Sequence, residues 1–207
     1  MLHRGFFYRI SPKQFTGPCK TLCPCPRHGR TRILSSMEST TVRGRQVHVV
    51  VQTTVNHPID AVFPYLSHPS TWHDFAPAVE FRRQIDGGPP RVGTRWMSTD
   101  RIGPFRAHFI DRLEALDENQ RVVWWSSAPW NARVEYACEE ASAGTRIRAD
   151  YLGEPSDSLR WQVGWIPDWA WHLILAQDFR RLDRLLTRRA RSASRWELHH
   201  TSQPLLG

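Results

Sequence analysis

The sequence is poor in cysteine and has no long hydrophobic run. Four cysteines occur among 207 residues, and Cys138 is the only one after residue 25. The main body of the chain therefore has no second thiol for an internal disulfide, which suits a reducing compartment and predicts a cytoplasmic protein. No stretch approaches the roughly 18 consecutive apolar residues of a membrane-spanning helix, so stable membrane insertion is not expected.

Lysine is almost absent, and so are the short motifs of several enzyme classes. Both lysines, Lys13 and Lys20, lie near the N-terminus, which leaves none in the main body for Schiff-base or phosphate-loop chemistry. Gly-x-Ser-x-Gly, His-Glu-x-x-His and Gly-x-Gly-x-x-Gly motifs are missing too, so hydrolase, metalloprotease and nucleotide chemistry are unsupported. One cysteine–histidine cluster is present: Cys19, Cys23, Cys25 and His28. Its spacing is not that of a zinc finger, and we predict no metal site and no cofactor.

The basic charge is concentrated at the N-terminus. The formal net charge is +8, but seven basic groups and no acidic group precede residue 38, which leaves 21 basic against 20 acidic groups after it. Nucleic-acid binding is therefore not expected, because the main body is nearly neutral. Residues 1–36 lack an apolar period, which favours a disordered leader or an over-extended reading frame ahead of Met37, with an organelle-targeting leader as a third alternative.

From Val47 onward the chain shows strand periodicity. Apolar and polar residues alternate as far as Val55, and Pro58 then opens two short helices that run to about Phe75. Six further strands are predicted between turns rich in Gly, Pro and Asn: Val79–Ile85, Val92–Thr99, Phe105–Leu116, Arg121–Ser127, Asn131–Glu139 and Thr145–Leu152. Their short, even spacing favours antiparallel hairpins over strand–helix–strand units.

A long C-terminal helix is predicted after a loop of about fifteen residues. From Trp171, apolar residues recur in steps of three and four as far as Leu186, while arginines occupy the opposite, solvent-facing side. This pattern predicts an amphipathic helix of roughly 20 residues, which is long enough to cover the apolar face of the sheet. The sequence thus predicts one α+β domain at residues 37–191, with residues 192–207 as a flexible tail.

The order of these elements and several short segments resemble the START-related superfamily of polyketide cyclases/dehydrases and lipid-transfer proteins. The segments are Val51–Val55, His57–Phe63, Tyr65–Leu66 with Pro69 and Trp72, Val92–Thr94, and Asp178–Leu186. The resemblance covers residues 46–190 and implies the helix-grip fold, a curved seven-stranded antiparallel sheet around a long C-terminal helix, with two short helices after the first strand. It also implies a cavity for an apolar or aromatic small molecule, in a family whose members range from cyclases to carriers without catalysis.

Aromatic residues supply most candidate ligand-binding positions, because a large apolar face with an N–H or O–H group suits flat or greasy ligands. The predicted ligand-binding residues are Trp96, Phe109, Trp125, Tyr136, Tyr151, Trp165, Trp171 and Leu175. For the strand tryptophans, plain core packing is the alternative. The group around Trp165 and Trp171 is expected at the mouth of the cavity, as a lid or as a patch for transient contact with a membrane surface.

Four residues are candidate acid–base groups: Asp111, Tyr136, Tyr151 and His73. Asp111 shares its strand phase with Phe109 and Leu113, which would turn it toward the hollow, unless a bulge shifts it outward. Arg83 shares its phase with Val79 and would also turn inward, where it needs an anionic partner such as Asp111 or a ligand carboxylate. An outward or snorkelling Arg83 is favoured over this inward orientation.

The leading hypothesis is that the protein binds a hydrophobic or aromatic small molecule, lipid-like or polyketide-like, between the sheet and the C-terminal helix. The alternative is an enzyme of the polyketide cyclase/dehydratase type that uses the acid–base groups in that cavity. A co-chaperone-like protein-interaction module is a further alternative. The sequence leaves open whether catalysis occurs, which ligand is bound and what the oligomeric state is.

Overall fold

One wall of the domain is a single antiparallel sheet of eight strands in the order β1-β2-β8-β7-β6-β5-β4-β3. A computed structural model describes residues 36–43, 46–163 and 166–201, all of which belong to one compact unit. The strands are β1 (Ser36–Arg43), β2 (Gln46–Val55), β3 (Val79–Gln84), β4 (Arg95–Ile102), β5 (Phe105–Asp117), β6 (Arg121–Ser126), β7 (Ala132–Ala141) and β8 (Gly144–Gly153). Of the predicted leader at residues 1–36, residues 1–35 lie outside the described residues, and Ser36 is the first residue of β1.

All seven predicted strands are present, and β1 is an additional strand at the edge of the sheet. It pairs antiparallel with β2 through a register that runs from Ser36 opposite Gln52 to Arg43 opposite Gln46. The segment is polar and shows no apolar alternation. An edge strand can nevertheless form through backbone hydrogen bonds to its neighbour, which is why the sequence pattern did not indicate it.

Four helical segments complete the domain: α1 (Ile59–Ser67), a 3₁₀ helix at Pro69–Asp74, α2 (Asp157–Val163) and α3 (Asp168–Thr201). The first two are the short helices predicted after the strand that ends at Val55. Helix α2 was not predicted, because seven residues with only Leu159 and Val163 buried give too short a periodic signal. Helix α3 has 34 residues and continues to Thr201, ten residues beyond the predicted end of the domain.

Helix α3 packs its apolar stripe against the concave side of the sheet. Phe179, Leu182 and Leu186 are buried on the helix, and Val49 and Val51 are buried on the facing strand β2. Residues spaced by three or four positions share one helix face, whereas alternate residues share one sheet face. The two periods therefore bring one continuous core together and confirm the α+β helix-grip architecture that the resemblance implied.

The turn between β7 and β8 fixes the corner where β2 leads into α1. Gly144 has φ +132°, and any side chain there would collide with the carbonyl oxygen of Val55. The next residue, Thr145, donates a hydrogen bond from Oγ1 to the carbonyl oxygen of His57 at 2.7 Å. Only glycine suits this close backbone approach, which holds the start of α1 against the end of the sheet.

Candidate functional site

A cavity of about 700 Å³ lies between the sheet, the 3₁₀ helix and the first turns of α3. Its walls are mainly aromatic and aliphatic, with a small set of charged groups. The aromatic members of the lining are Trp72, Phe75, Phe109, Trp130, Tyr136, Tyr151, Trp171 and Phe179, and the charged members are Arg82, Asp100, Arg101, Asp111, Asp178 and Arg181. Ile174 belongs to the lining and is 38% exposed, so the first turns of α3 border the opening.

The aromatic side chains form a connected wall. The ring centroids of Phe109 and Trp130 lie 6.5 Å apart, and those of Trp130 and Trp171 lie 6.2 Å apart. Tyr136 contacts Trp72 at 6.4 Å and Phe179 at 6.2 Å. All four contacts are edge-to-face, the arrangement that the ring quadrupole favours. These rings are therefore held in place by one another, while part of their surface faces the cavity.

Strand alternation explains how β7 and β8 contribute to this wall. Ala132, Val134 and Tyr136 occupy alternate positions of β7 and all line the cavity. In the register of the sheet Val134 lies opposite Tyr151 of β8, which places Tyr151 on the same face. Residues directly opposite on paired strands share one face of a sheet, so the two tyrosines lie on one side of the cavity.

The buried arginine of the cavity is Arg82, and Arg83 is exposed, in line with the outward orientation that the sequence analysis favoured for it. A bulge between Val79 and Phe81 shifts the register of β3 against β4, which exchanges the two faces of the strand after that point. As a result Phe81 and Arg83 are exposed, and the side chain of Arg82 is only 3% exposed. The bulge is a backbone feature, and the period of the sequence does not reveal it.

Asp111 faces inward, as its strand phase with Phe109 and Leu113 indicates, and is 1% exposed. Its carboxylate accepts hydrogen bonds from the Ser98 hydroxyl at 2.5 Å and the Ser126 hydroxyl at 2.6 Å. The Nε atom of Arg82 lies 3.2 Å from Asp111 Oδ2. Burial raises the pKa of Asp111, although the Arg82 charge and the two serine hydroxyls lower it in part.

Asp100 is the second carboxylate beside Arg82, and sequence reasoning missed it. The Nη2 atom of Arg82 donates a hydrogen bond to Asp100 Oδ1 at 2.7 Å. Burial raises the pKa of Asp100, the Arg82 charge lowers it, and the neighbouring Asp111 charge raises it further. Asp100 is near the end of β4, and its neighbours Thr99 and Arg101 gave no signal that this position turns inward.

Asp178 brings a third carboxylate to the cavity from helix α3. It accepts a hydrogen bond from Arg181 Nη1 at 2.9 Å, and its side chain is 13% exposed. Burial raises its pKa to about 7, against the Arg181 charge, and the Asp100 charge adds to the increase. A signal for this residue existed in the sequence, since Asp178 follows Trp171 by seven residues and therefore lies on the same helix face.

Both candidate tyrosines line the cavity. Burial is the main cause that raises the pKa of Tyr136 and of Tyr151 far above the ordinary value, and the nearby carboxylates raise it further. Both phenols therefore stay neutral and can donate hydrogen bonds. The Tyr151 hydroxyl is buried and has no hydrogen-bond partner among the described residues, and the Trp72 indole N–H is in the same situation.

The predicted ligand-binding residues divide into two groups in the structure. Phe109, Tyr136, Tyr151, Trp171 and Leu175 line the cavity. Trp96 and Trp125 do not belong to this lining.

Trp96 is 2% exposed and packs edge-to-face on Trp124 at 5.0 Å, within the core rather than at the cavity. Trp125 lies on the opposite face of β6, where the Arg112 guanidinium sits 5.0 Å from its ring, because alternation turns Trp124 inward instead. Trp165 lies outside the described residues.

His73, the fourth candidate acid–base group, does not line the cavity. Its side chain is 57% exposed, and Nε2 lies 3.2 Å from the carboxylate of its neighbour Asp74. The 3₁₀ helix turns Trp72 toward the cavity, so the following residue points to solvent. Asp111, Tyr136 and Tyr151 are therefore the candidates that the fold brings together, with Asp100 and Asp178 as additions.

Within residues 36–43, 46–163 and 166–201, no group of three or more His, Cys, Asp or Glu side chains could hold a metal ion. The cluster of Cys19, Cys23, Cys25 and His28 lies outside these residues. Over the same described part of the chain, no helix combines the length and the apolar character that crossing a membrane requires.

Comparison with known structures gives the same fold at low sequence identity. A protein from Thermus thermophilus matches with TM-score 0.57 and 12% identity over 69% of this chain and 98% of its own. A Staphylococcus aureus protein of unknown function matches with TM-score 0.55 and 11% identity over 70% and 96%. The major latex-like protein 151 of Panax ginseng matches with TM-score 0.54 and 14% identity over 68% and 97%.

A search of curated proteins by sequence found no match. The family model described as "Polyketide cyclase / dehydrase and lipid transport", in contrast, matches residues 46–187. This match spans more than half of the chain and includes β2 to β8 and the cavity-lining part of α3. The chain belongs to the polyketide cyclase/dehydrase and lipid transport family.

Proposed function

We propose that this protein binds a hydrophobic or aromatic small molecule in the cavity between the sheet and α3. The observation that carries the proposal is the cavity itself, about 700 Å³ in volume and lined mainly by aromatic and aliphatic side chains. Small-molecule sites typically have volumes of about 300–1,000 Å³, an apolar lining and a few polar groups that orient the ligand. The family description, which includes lipid transport, suits the same role.

Apolar side chains at the opening support a route for such a ligand. On the first turns of α3, Trp169 is 58% exposed, Leu173 41% and Ile174 38%, and Ile174 also lines the cavity. Exposed apolar groups next to a pocket are typical of sites that receive greasy molecules or touch a lipid surface for a short time. Transient membrane contact and the cytoplasmic location stay predictions.

A fluorescence titration with the neutral apolar probe N-phenyl-1-naphthylamine tests the proposal. We expect saturable binding by the full chain, and a loss of affinity of at least about tenfold in Val134→Trp, which places an indole in the cavity. The matched control is Leu152→Trp on the neighbouring strand β8, where the side chain is 40% exposed and outside the cavity. Failure of the wild-type protein to take up the probe would contradict the proposal.

An acid–base enzyme is the second candidate function, and one observation favours it. Asp111, Asp178, Tyr136 and Tyr151 all line one cavity, and the pKa of Asp178 is raised to about 7, in the range where a carboxyl can act as acid or base near neutral pH. His73 is not part of this set.

Native mass spectrometry of the wild-type protein and Asp178→Asn distinguishes a carrier from such an enzyme. If the protein is a cyclase/dehydratase, Asp178→Asn should stop the reaction and leave the substrate bound. Because dehydration releases one water, this substrate should be heavier by one water than the product bound to the wild type. Glu140→Gln, which removes an exposed carboxylate at the end of β7, is the matched control. An identical bound compound in all three proteins would favour the carrier.

A cavity filled by the protein's own side chains, together with an exposed apolar patch, would favour the co-chaperone-like alternative. The open volume of about 700 Å³ does not favour it.

A further inference from the structure

The cavity lining holds three carboxylates and three arginines, but only one of the arginines, Arg82, is deeply buried. Deep in the cavity the Arg82 guanidinium, 3% exposed, faces two carboxylates, Asp100 at 16% and Asp111 at 1% exposure. Asp178 adds a third carboxylate from α3. Because charges in a buried site are screened only weakly, an excess of carboxylates favours a ligand with positive charge and disfavours an anionic one.

Arg82 is held mainly by protein oxygens and offers few free donors to an anionic ligand. Its Nη1 atom donates to the carbonyl oxygens of Phe81 at 2.9 Å and Thr99 at 3.2 Å. Its Nη2 atom donates to Asp100, and Nε lies 3.2 Å from Asp111. Each nitrogen of the guanidinium thus lies near a protein oxygen, although Nε makes no hydrogen bond among the described residues. A ligand carboxylate would have to compete with Asp100 and Asp111 for this charge.

The other two arginines of the lining are also engaged, and they are less buried. Arg181 is 38% exposed and donates to Asp178, and Arg101 is exposed and donates to the carbonyl oxygen of Gly103. Both face solvent for part of their surface, where water and salt screen their charge. Arg181 therefore offsets the charge of Asp178 only in part, and the two exposed arginines neutralise the carboxylates less than buried ones would.

Asp178 still has an acceptor to offer. Arg181 binds its Oδ1 atom, and among the described residues no hydrogen-bond donor binds the second oxygen. Asp111, in contrast, already accepts from two serines and faces Arg82. Asp100 accepts one hydrogen bond as well, but its partner is the buried Arg82 guanidinium. Asp178 is paired only with the partly exposed Arg181, which leaves it the most capacity for a ligand donor.

The aromatic wall suits a cation as well as an apolar body. The Arg82 guanidinium carbon already lies 5.6 Å from the Trp72 ring centroid and 5.1 Å from that of Phe109, within the range of cation–π attraction. Trp171 and Tyr136 also line the cavity that Asp178 faces. Aromatic rings combined with carboxylates are the surroundings in which proteins hold organic ammonium groups.

We propose that the cavity selects apolar or aromatic molecules that carry a protonated amine, with the ammonium group bound to Asp178. This inference rests on the proposed binding function and adds the charge of the ligand to it. An ammonium group would donate to the second oxygen of Asp178 while the apolar part of the ligand contacts the aromatic wall.

Competition against bound N-phenyl-1-naphthylamine tests the inference with three naphthalenes that bear an aminomethyl, a hydroxymethyl or a carboxyl group. At a pH of about 8 the amine is largely protonated and the acid is ionised. We expect the amine to compete at a concentration at least about tenfold lower than the acid, with the alcohol in between. In Asp178→Asn the advantage of the amine should shrink to about threefold or less, while Glu140→Gln keeps the wild-type ratio.

The outcomes separate the two proposals. If the neutral probe does not bind at all, the proposed binding function and the amine preference are both contradicted. If the probe binds but the acid competes as well as the amine or better, only the amine preference is overturned. An amine preference that is unchanged in Asp178→Asn, with a melting temperature like that of the wild type, overturns the assignment of the ammonium group to Asp178.

Discussion

The layer between the sheet and α3 has a filled region and a hollow region, built from similar residue types. In the filled region Trp124 is fully buried, packs edge-to-face on Trp96 at 5.0 Å and donates from its indole to the carbonyl oxygen of Leu66 at 3.1 Å. In the hollow region Trp130 and Trp171 contact each other at 6.2 Å but face open volume. Trp72 belongs to both regions, since it contacts Trp124 and lines the cavity.

The difference teaches that residue type does not decide whether a tryptophan stabilises the fold or lines a site. A ring surrounded by protein atoms on all sides contributes its full contact energy to folding. A ring with one side toward a cavity contributes less to folding and offers that side to a ligand. The buried carboxylates also belong to the hollow region, where Asp100, Asp111 and Asp178 line the cavity.

The largest effect is expected from Trp124→Ala in the filled region. Removal of this side chain leaves a large void and leaves the Leu66 carbonyl oxygen without its hydrogen-bond donor. We therefore expect a loss of about 3–5 kcal/mol in the free energy of unfolding. Urea denaturation followed by circular dichroism measures it. Trp125→Ala, one residue later on the outer face of β6, is the control and should cost about 1 kcal/mol or less. Equal losses in the two variants would contradict the comparison.

The next largest effect is expected from Asp111→Ala in the hollow region. Ser98, Ser126 and Arg82 would each lose a partner in a buried site, so we expect a loss of about 2–4 kcal/mol in the free energy of unfolding. Glu80→Ala, which breaks the exposed ion pair with Arg106, is the control and should leave the urea midpoint unchanged. If Asp111→Ala lowers the free energy of unfolding as little as the control does, the charges of Arg82, Asp100 and Asp111 are exposed to water.

A moderate effect is expected from pH through Asp178. Its pKa is raised to about 7 in the folded protein and is close to 3.8 in the unfolded chain, so between these values the folded state binds more protons. The free energy of unfolding should therefore fall as pH rises from about 4 to 7, and then level off. We expect this fall to be about 1–3 kcal/mol, less than full linkage would give, because the side chain keeps some exposure.

Urea titrations of the wild type and Asp178→Asn at several pH values isolate this contribution. In the variant the free energy of unfolding should fall less with rising pH, because Asp178 no longer contributes. Some fall should remain, because the pKa values of Asp100 and Asp111 are also raised. Burial lowers the pKa of His172, which acts in the opposite direction below about pH 6.5, equally in both proteins. Identical pH profiles for the two proteins would show that Asp178 is not the cause of the fall in stability.

The smallest effect on stability is expected from Trp171→Ala at the cavity. Because one side of this ring faces open volume, we expect a loss of only about 1 kcal/mol in the free energy of unfolding. Affinity for N-phenyl-1-naphthylamine should nevertheless fall by about fivefold or more, because a ligand loses a contact surface. A stability loss like that of Trp124→Ala, with unchanged probe binding, would place Trp171 in the core instead.

Several elements were predictable because their signal is local and periodic. The alternation around Tyr136 and Tyr151 placed both side chains on the inner face, and the three- and four-residue steps from Trp171 to Leu186 identified α3. In each case the buried residues recur at the period of a strand or a helix. The spacing of apolar residues in the sequence therefore indicates which face of the element is buried. Trp96 and Trp125 show the limit of this approach, since the period alone does not separate core, cavity and outer face.

By itself, the sequence determined the order of β2 to β8, the two short helices after β2 and the long helix α3, and the apolar faces that form the core. The tertiary structure decided which groups meet at the cavity. A bulge in β3 turned Arg82 inward in place of Arg83, and pairing across the strands set Asp100 and Asp111 beside it. These outcomes depend on strand register and on charges far apart in the chain. The sequence pattern along one strand carries neither kind of information.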